Sequence, residues 1–129
     1  MIEVGIKINN YEYKIRIVKW NDRNLMMEDG KYHFGVTNFK DKEIYIANNL
    51  KAEAFMNTMI HELIHAYIDS YGLLQIKWDD EIVADFVSTY LENIGNTLEE
   101  ISKKLEKGRK RYGKRRTRAN RKRGREDKV

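Results

Sequence analysis

The stretch that decides the fold is MNTMIHELIHAYIDSYG, residues 56–72. Its apolar residues recur at three- and four-residue spacing, which is the period of an α-helix with one buried face. No glycine or proline interrupts the chain from about residue 50 to Gly72, and glycine commonly follows the last turn of a helix. The pattern predicts one helix of roughly 20 residues that ends at Gly72.

Inside this helix, His61-Glu62-Leu63-Ile64-His65 matches the pattern H-E-x-x-H. Four residues advance an α-helix by about 400°, so the two imidazoles lie one turn apart on nearly the same face. Both rings can then bind one Zn²⁺ ion at about 2.0–2.1 Å. Glu62 is rotated by about 100°, so as the catalytic residue it flanks the metal and takes a proton from water. The alternative is two surface or half-buried histidines beside an ordinary solvated glutamate.

A catalytic zinc site has three protein ligands and one open position, so the two histidines need a partner. The chain has three histidines and no cysteine, and no histidine follows His65. The third histidine, His33, lies upstream in a predicted strand. The missing ligand is therefore a carboxylate, or His33 by an unusual route. A site of this kind also accepts iron, cobalt or manganese.

The segment WDDEIVADF, residues 78–86, supplies the carboxylates. Glu81 and Asp85 are four residues apart and share a face of the next predicted helix. We expect Glu81 to be the third zinc ligand, with Asp80 as its first rival. Asp85 is expected to accept a hydrogen bond from a ligand histidine, which fixes the tautomer of the ring. The alternative is that these acids only favour a helix N-terminus.

The N-terminal half has the two-residue alternation of half-buried strands. Strands are predicted at residues 2–8 and 11–19, joined by Asn9-Asn10 as a hairpin turn. The segments HFGVTNF (33–39) and EIYIAN (43–48) predict a second hairpin. The order of elements predicts an α+β fold, in which a small antiparallel or mixed sheet packs on the HExxH helix.

A second apolar stripe predicts another helix from about residue 80 to residue 94, which carries Glu81. Gly95 is predicted to interrupt it, and Thr97 with Glu100 forms a capping-box pattern that restarts a third helix. The apolar periodicity stops after Gly108. We therefore predict a domain of residues 1–107 and a disordered tail of residues 108–129.

Charge is distributed unevenly along the 129 residues. The tail holds 12 Lys/Arg against 2 Asp/Glu, whereas residues 1–107 hold 13 against 18. The tail is expected to contact DNA or RNA without sequence preference through residues 109–125. The alternative is a solubilising tail that pairs with the acidic body. The N-terminus lacks the pattern of a signal peptide and no segment is apolar enough to span a membrane, so a cytoplasmic protein without membrane contact is expected.

The segments HELIHAYIDSYG (61–72) and DDEIVADFVSTYL (79–91) together resemble the small ImmA/IrrE-type zinc metallopeptidases found in bacterial and phage genomes. FGVTNFKDKEIYIANNL (34–50) resembles the hairpin that precedes the HExxH helix in that family. The resemblance implies a minimal zincin fold of the gluzincin type, in which Glu81 is the third ligand and Asp85 the partner of His61. It also implies an edge strand at Glu43–Ala47 that aligns an extended peptide, and hydrolysis of peptide bonds in a protein substrate.

A group that stabilises the developing oxyanion is expected beside the metal. The candidates are His33, Tyr67, Tyr71 and Tyr45, but ordinary packing or exposure is the favoured explanation for each, so none of them is assigned a catalytic role. The sequence thus favours a zinc peptidase acting on a protein or peptide. The alternative is a nucleic-acid-binding protein in which the zincin-like domain is structural or inactive.

Overall fold

The first two strands form a hairpin in a computed structural model that describes the backbone of residues 1–126 and the side chains of residues 1–108. Strand β1 (Ile2–Ile8) pairs antiparallel with β2 (Tyr11–Val18). Asn9 and Asn10 connect them with φ values of 49° and 67°. Both angles are those of a type I′ turn, and asparagine tolerates them better than most residues. The predicted first hairpin is confirmed.

A second hairpin completes a four-stranded mixed sheet. Strand β3 (Gly35–Asn38) pairs antiparallel with β4 (Glu43–Ala47), and β4 pairs parallel with β2. The strand order is β1-β2-β4-β3. The segment Glu43–Ala47 was expected to be an edge strand, and this prediction is wrong, because β3 is the edge on that side. The physical reason is that β4 is buried on both faces, which is typical of an interior strand.

Both helices lie on one face of the sheet, where the main core forms. Tyr13, Ile15, Ile44, Ile46 and Leu63 are all fully buried there. Removing a side chain of this size from water stabilises the fold by about 1.5–3 kcal/mol. The opposite face carries a smaller buried cluster, made of Val18, Leu25, Tyr45 and Ala47. The expected α+β class with a small mixed sheet is confirmed.

Helix α1 (Ala52–Ser70) ends as its sequence predicts. Gly72 has a φ of 72° and follows the C-cap residue Tyr71. The N–H of Leu73 donates to the carbonyl of Ile68 at 2.8 Å, and the N–H of Gly72 donates to that of Asp69 at 3.1 Å. These two bonds form a Schellman motif, which satisfies carbonyls at the helix end.

Helix α2 (Asp80–Glu126) is continuous, so the predicted break at Gly95 is wrong. A glycine inside a helix costs only about 1 kcal/mol relative to alanine. Tertiary contacts on either side of Gly95 outweigh that cost, since Ile94 and Thr97 are buried and Tyr67 donates to the carbonyl of Asn93 at 3.0 Å. No helix among the described residues is both long and apolar enough to cross a membrane.

The basic C-terminal segment begins where α2 leaves the body. Ile101 and Leu105 are buried, and Gly108 lies beside Ile2 at the start of β1. The backbone remains helical as far as Glu126. Side chains after Gly108 are outside the described residues, so the predicted boundary between residues 1–107 and a separate tail stays a prediction.

Candidate metal centre

Two histidine rings of α1 converge on one point. The Nε2 atoms of His61 and His65 lie 3.1 Å apart, and the ring centroids are 4.8 Å apart. Two nitrogens that bind the same tetrahedral Zn²⁺ at about 2.0–2.1 Å lie about 3.3 Å from each other. His61 is exposed and His65 is half-buried, so the shared point is open to solvent on one side. The pair therefore fits two ligands of one metal ion.

Glu62 joins the histidines in a group that can hold a metal. Ligand atoms of His61, Glu62 and His65 all lie within 4.8 Å of one another. Glu62 is only 5% exposed, and a buried carboxylate is costly unless it accepts hydrogen bonds. The hydroxyl of Thr37 lies 3.2 Å from its Oε2 atom and 3.3 Å from its backbone carbonyl oxygen. The HExxH pattern gives no indication of Thr37, although strand alternation places it on the helix-facing side of β3.

Gly35 lets β3 approach α1 closely. A Cβ atom at this position would lie 2.7 Å from Cγ2 of Thr58, 3.0 Å from Cγ of Glu62 and 3.2 Å from Cδ1 of Ile46. The first distance is far below van der Waals contact, so any larger residue requires a shift of strand or helix. A glycine inside a strand often marks such a close approach, and this was the sequence signal available for Gly35.

A cleft of about 320 Å³ opens beside the histidine–glutamate group. It lies between the start of β3 and the middle of α1, and its lining consists of His33, Phe34, Gly35, Asn57, Thr58, His61 and Glu62. A space of this size admits one or two side chains of a ligand. The cleft therefore leaves Glu62 accessible to a molecule bound there.

His33 is the one oxyanion candidate that lines this cleft. Its Nε2 atom is 3.0 Å from Oδ2 of Asp29. The pKa of Asp29 is lowered, first by the backbone N–H of Lys31 and then by the His33 ring. His33 is not a member of the metal-holding group among the described residues.

The three tyrosine candidates lie elsewhere. Tyr67 is buried and hydrogen-bonds Thr97 at 2.7 Å, and burial raises its pKa. Tyr71 stacks on it with the ring centroids 6.0 Å apart. Tyr45 points to the opposite face of the sheet, where it contacts Glu43. Ordinary packing accounts for all three.

Glu81 is not brought to the histidines. It is exposed in the first turn of α2, and Asp79 is the residue that caps this helix, accepting the N–H of Ile82 at 2.9 Å. Successive contacts show that α2 runs antiparallel to α1, with Tyr71 packed on Tyr90 at a centroid distance of 4.6 Å. Nine further residues place Glu81 roughly 13 Å beyond Tyr90, past the C-terminal end of α1. Its role as a ligand stays a prediction.

Asp85 is also exposed, and it lines a shallow groove with Leu73, Ile76 and Trp78. Within the described chain, its carboxylate accepts no hydrogen bond from either ligand histidine. Its predicted role as the partner of His61 is therefore untested as well.

A polar network anchors the β3–β4 turn to the end of α1. The ammonium group of Lys42 lies 2.6 Å from Oδ2 of Asp69, and the hydroxyl of Tyr13 donates to the same oxygen at 2.7 Å. The hydrogen bond with Asp69 raises the pKa of Lys42, and burial is the main cause that raises the pKa of Tyr13. Phe39, in the same turn, meets the His65 ring edge-on at 6.3 Å. The network thus fixes the far end of β3 beside the metal-holding group.

Comparison of the chain with protein-family models, with curated proteins and with solved structures finds no match. The resemblance to ImmA/IrrE-type peptidases therefore rests on the quoted residues alone. What stands independently is the convergence of His61, Glu62 and His65 in a group able to hold a metal ion.

Proposed function

We propose that the protein is a zinc-dependent metallopeptidase that hydrolyses peptide bonds of a protein substrate. The observation that carries the proposal is the 3.1 Å separation of the His61 and His65 Nε2 atoms beside a buried glutamate that lines an open cleft. The four-residue spacing brings the two rings together, and the buried Glu62 carboxylate beside them adds an acid–base group at the same point. Glutamate directly after the first histidine is the arrangement that peptide hydrolysis by a zincin requires.

The bound metal would act as a Lewis acid that polarises the scissile carbonyl and makes water more acidic. The Glu62 carboxylate accepts a proton from the attacking water while the water oxygen bonds to the carbonyl carbon. Glu62 then gives that proton to the amide nitrogen, so the C–N bond breaks and a neutral amine leaves. Because β3 is an edge strand, its outer backbone groups can pair with an extended peptide.

Glu81 remains the proposed third ligand, with Asp85 as the hydrogen-bond acceptor for His61. Neither carboxylate makes a side-chain hydrogen bond or ion pair within the described residues, so neither loses a partner by moving. The proposal requires the first turns of α2, which lie past the C-terminal end of α1, to rearrange toward the histidines when metal binds. Asp80 is the alternative ligand from the same turn.

Glu62→Gln tests the peptidase proposal. The carboxamide keeps the shape of the side chain but cannot accept the proton, so we expect zinc content near that of the parent and hydrolysis lower by about 10²–10⁴-fold. Zinc is measured by elemental analysis, and hydrolysis with a mixed library of quenched fluorescent peptides. Glu53→Gln, an exposed glutamate of the same helix, is the matched control. A zinc-loaded parent that cleaves nothing, or a Glu62→Gln variant as active as the parent, contradicts the proposal.

We also propose that the basic segment contacts DNA or RNA through residues 109–125. The observation that favours this is the unbroken backbone helix of α2, which joins the cation-rich segment directly to the folded body. Duplex affinity is measured at two salt concentrations for the full chain and for a chain ending at Gly108. The logarithm of affinity should fall with that of salt by about 0.9 per phosphate neutralised, and the shortened chain should lose the slope. Equal affinity of the two chains contradicts this proposal and leaves the peptidase proposal intact.

A further inference from the structure

Within the described residues, Thr37 is the one side chain that hydrogen-bonds the Glu62 carboxylate. We propose that its hydroxyl is a positioning group, which holds the carboxylate in the orientation needed for proton transfer. This inference rests on the proposed peptidase function and adds a residue that the HExxH pattern does not contain.

The hydroxyl of Thr37 has one proton and two acceptors within reach. Oε2 of Glu62 is 3.2 Å away and the backbone carbonyl oxygen of the same residue is 3.3 Å away. The carbonyl already accepts an N–H bond from the next turn of α1, as every interior carbonyl of an α-helix does. The carboxylate has the greater need for a donor, since it is charged and Glu62 is only 5% exposed.

Donation of the Thr37 hydroxyl to Oε2 gives the two carboxylate oxygens of Glu62 different roles. Oε2 is tied to β3, so rotation of the carboxylate about its last bond is restricted. Oε1 has no protein partner among the described residues, and Glu62 lines the cleft. One oxygen is therefore fixed, and the other is left to take the proton.

The strand that carries Thr37 is itself held in place. Gly35, two residues earlier on the same face, gives the close approach to α1, and the Lys42–Asp69 pair anchors the turn that follows β3. A hydroxyl on a surface loop would not have this rigidity. Positioning groups act best when their own geometry is determined by packing.

Thr97 provides a comparison, because its hydroxyl also makes a hydrogen bond and it lies outside the lining of the cleft. Its hydroxyl is 2.7 Å from that of Tyr67 and does not contact Glu62. Valine replaces the hydroxyl of either threonine with a methyl group of similar size. Thr37→Val and Thr97→Val therefore remove equivalent groups, and only the first removal reaches the carboxylate.

We expect Thr37→Val to lower kcat by about 10-fold, within the range for groups that orient a reactive side chain. KM and zinc content should stay within about twofold of the parent, because the hydroxyl touches neither substrate nor metal. Thr37→Ser should restore most of kcat, and Thr97→Val should match the parent. The probe is the peptide of the quenched fluorescent library that the parent cleaves fastest. A kcat for Thr37→Val equal to that of the parent overturns the inference, provided that Glu62→Gln is inactive; if Glu62→Gln is active, the proposed function fails instead.

A second measurement needs neither metal nor substrate. The denaturation midpoints of metal-free parent, Thr37→Val, Glu62→Met and the double variant form a double-mutant cycle, in which methionine removes the acceptor that glutamine would keep. If the hydroxyl supports the carboxylate, the shift of the double variant is smaller than the sum of the two single shifts. Additive shifts mean that the two side chains do not interact, and they overturn the inference.

Discussion

The two helices that carry the predicted ligands are tied to the rest of the molecule in different ways. The HExxH turn of α1 is pressed against β3, with Thr37 on Glu62, Phe39 on His65 and no room for a side chain at Gly35. The first turn of α2 carries exposed acids and is capped by Asp79, and in the next turn Phe86 packs on Trp78 and not on the HExxH turn. Convergence within one helix follows from a four-residue spacing, whereas convergence between two helices depends on how they pack.

Comparing Glu81→Ala with His65→Ala tests this difference directly and should give the largest effect. The free energy of zinc binding at a protein site is about 10–16 kcal/mol, and we assign roughly 4 kcal/mol of it to one ligand. His65→Ala should therefore weaken zinc binding by about 10³-fold. If Glu81 is the third ligand, its removal should have a similar effect. Zinc affinity is measured by competition with a chelator of known affinity.

The control for Glu81 is Glu92→Ala, an exposed glutamate further along α2. Equal zinc affinity in Glu81→Ala, Glu92→Ala and the parent would show that the acids at the start of α2 only support the helix end. The two helices would then differ in function as well as in packing, and Asp80 would be tested next.

The parts of the molecule that sequence predicts well are those fixed by neighbours in the chain. The Asn9-Asn10 turn, the helix end at Gly72 and the one-turn spacing of the HExxH histidines are all set by backbone geometry over a few residues. For the same reason the metal-holding group itself was predictable without any tertiary information.

The remaining features depend on packing between distant segments. Glu43–Ala47 was expected at the edge from the family resemblance, and its alternation could not correct this, because alternation does not reveal which neighbour a strand acquires on its second side. Gly95 was predicted to break a helix because its intrinsic cost is visible in the sequence and the contacts of Thr97 with Tyr67 are not. Thr37 was missed because its partner is 25 residues away. Sequence patterns over a few neighbouring residues cannot predict contacts between segments this far apart in the chain.

Gly35→Ala sharpens the comparison from the side of β3 and should have an intermediate effect. The new Cβ meets Thr58 Cγ2, so we expect a loss of about 1–3 kcal/mol in the free energy of unfolding, the usual cost of overpacking. Urea denaturation measures it. Gly5→Ala, in β1, is the matched control, because a Cβ there has no neighbour within 4 Å.

Removing the Cγ2 methyl group of Thr58 shows whether its contact with the new Cβ destabilises Gly35→Ala. Thr58→Ser keeps the hydroxyl but lacks Cγ2, so adding it to Gly35→Ala should recover part of the lost stability. A double variant no more stable than Gly35→Ala would place the conflict with Glu62 or Ile46 instead, and β3 would then be pressed on the metal-holding group itself.

The smallest expected effect concerns the polar network of Lys42, Tyr13 and Asp69 at the β3–β4 turn. It is a loss of folding stability at alkaline pH. The pKa of Lys42 and that of Tyr13 are both raised in the folded protein. The folded state therefore holds these protons more tightly, so this stability is fully present below the unfolded pKa values near 10.0 and 10.5. It is lost as pH rises through the folded values.

We expect the free energy of unfolding to decline above about pH 10, in part because Lys42 loses its charge and its hydrogen bond to Asp69 weakens. Lys42→Met should cost about 1 kcal/mol at pH 7, the scale of a partly exposed charged hydrogen bond. The difference from the parent should shrink as pH rises through the folded pKa of Lys42, which lies above 10.5, since the parent then loses the same charge. Lys7→Met, on an exposed position of β1, should show no such convergence. A difference that stays constant with pH would mean that Lys42 holds the turn through contacts that do not depend on its charge, and neither its pairing with Asp69 nor the position of its ammonium group over the rings of Tyr11 and Tyr13 would then fix β3.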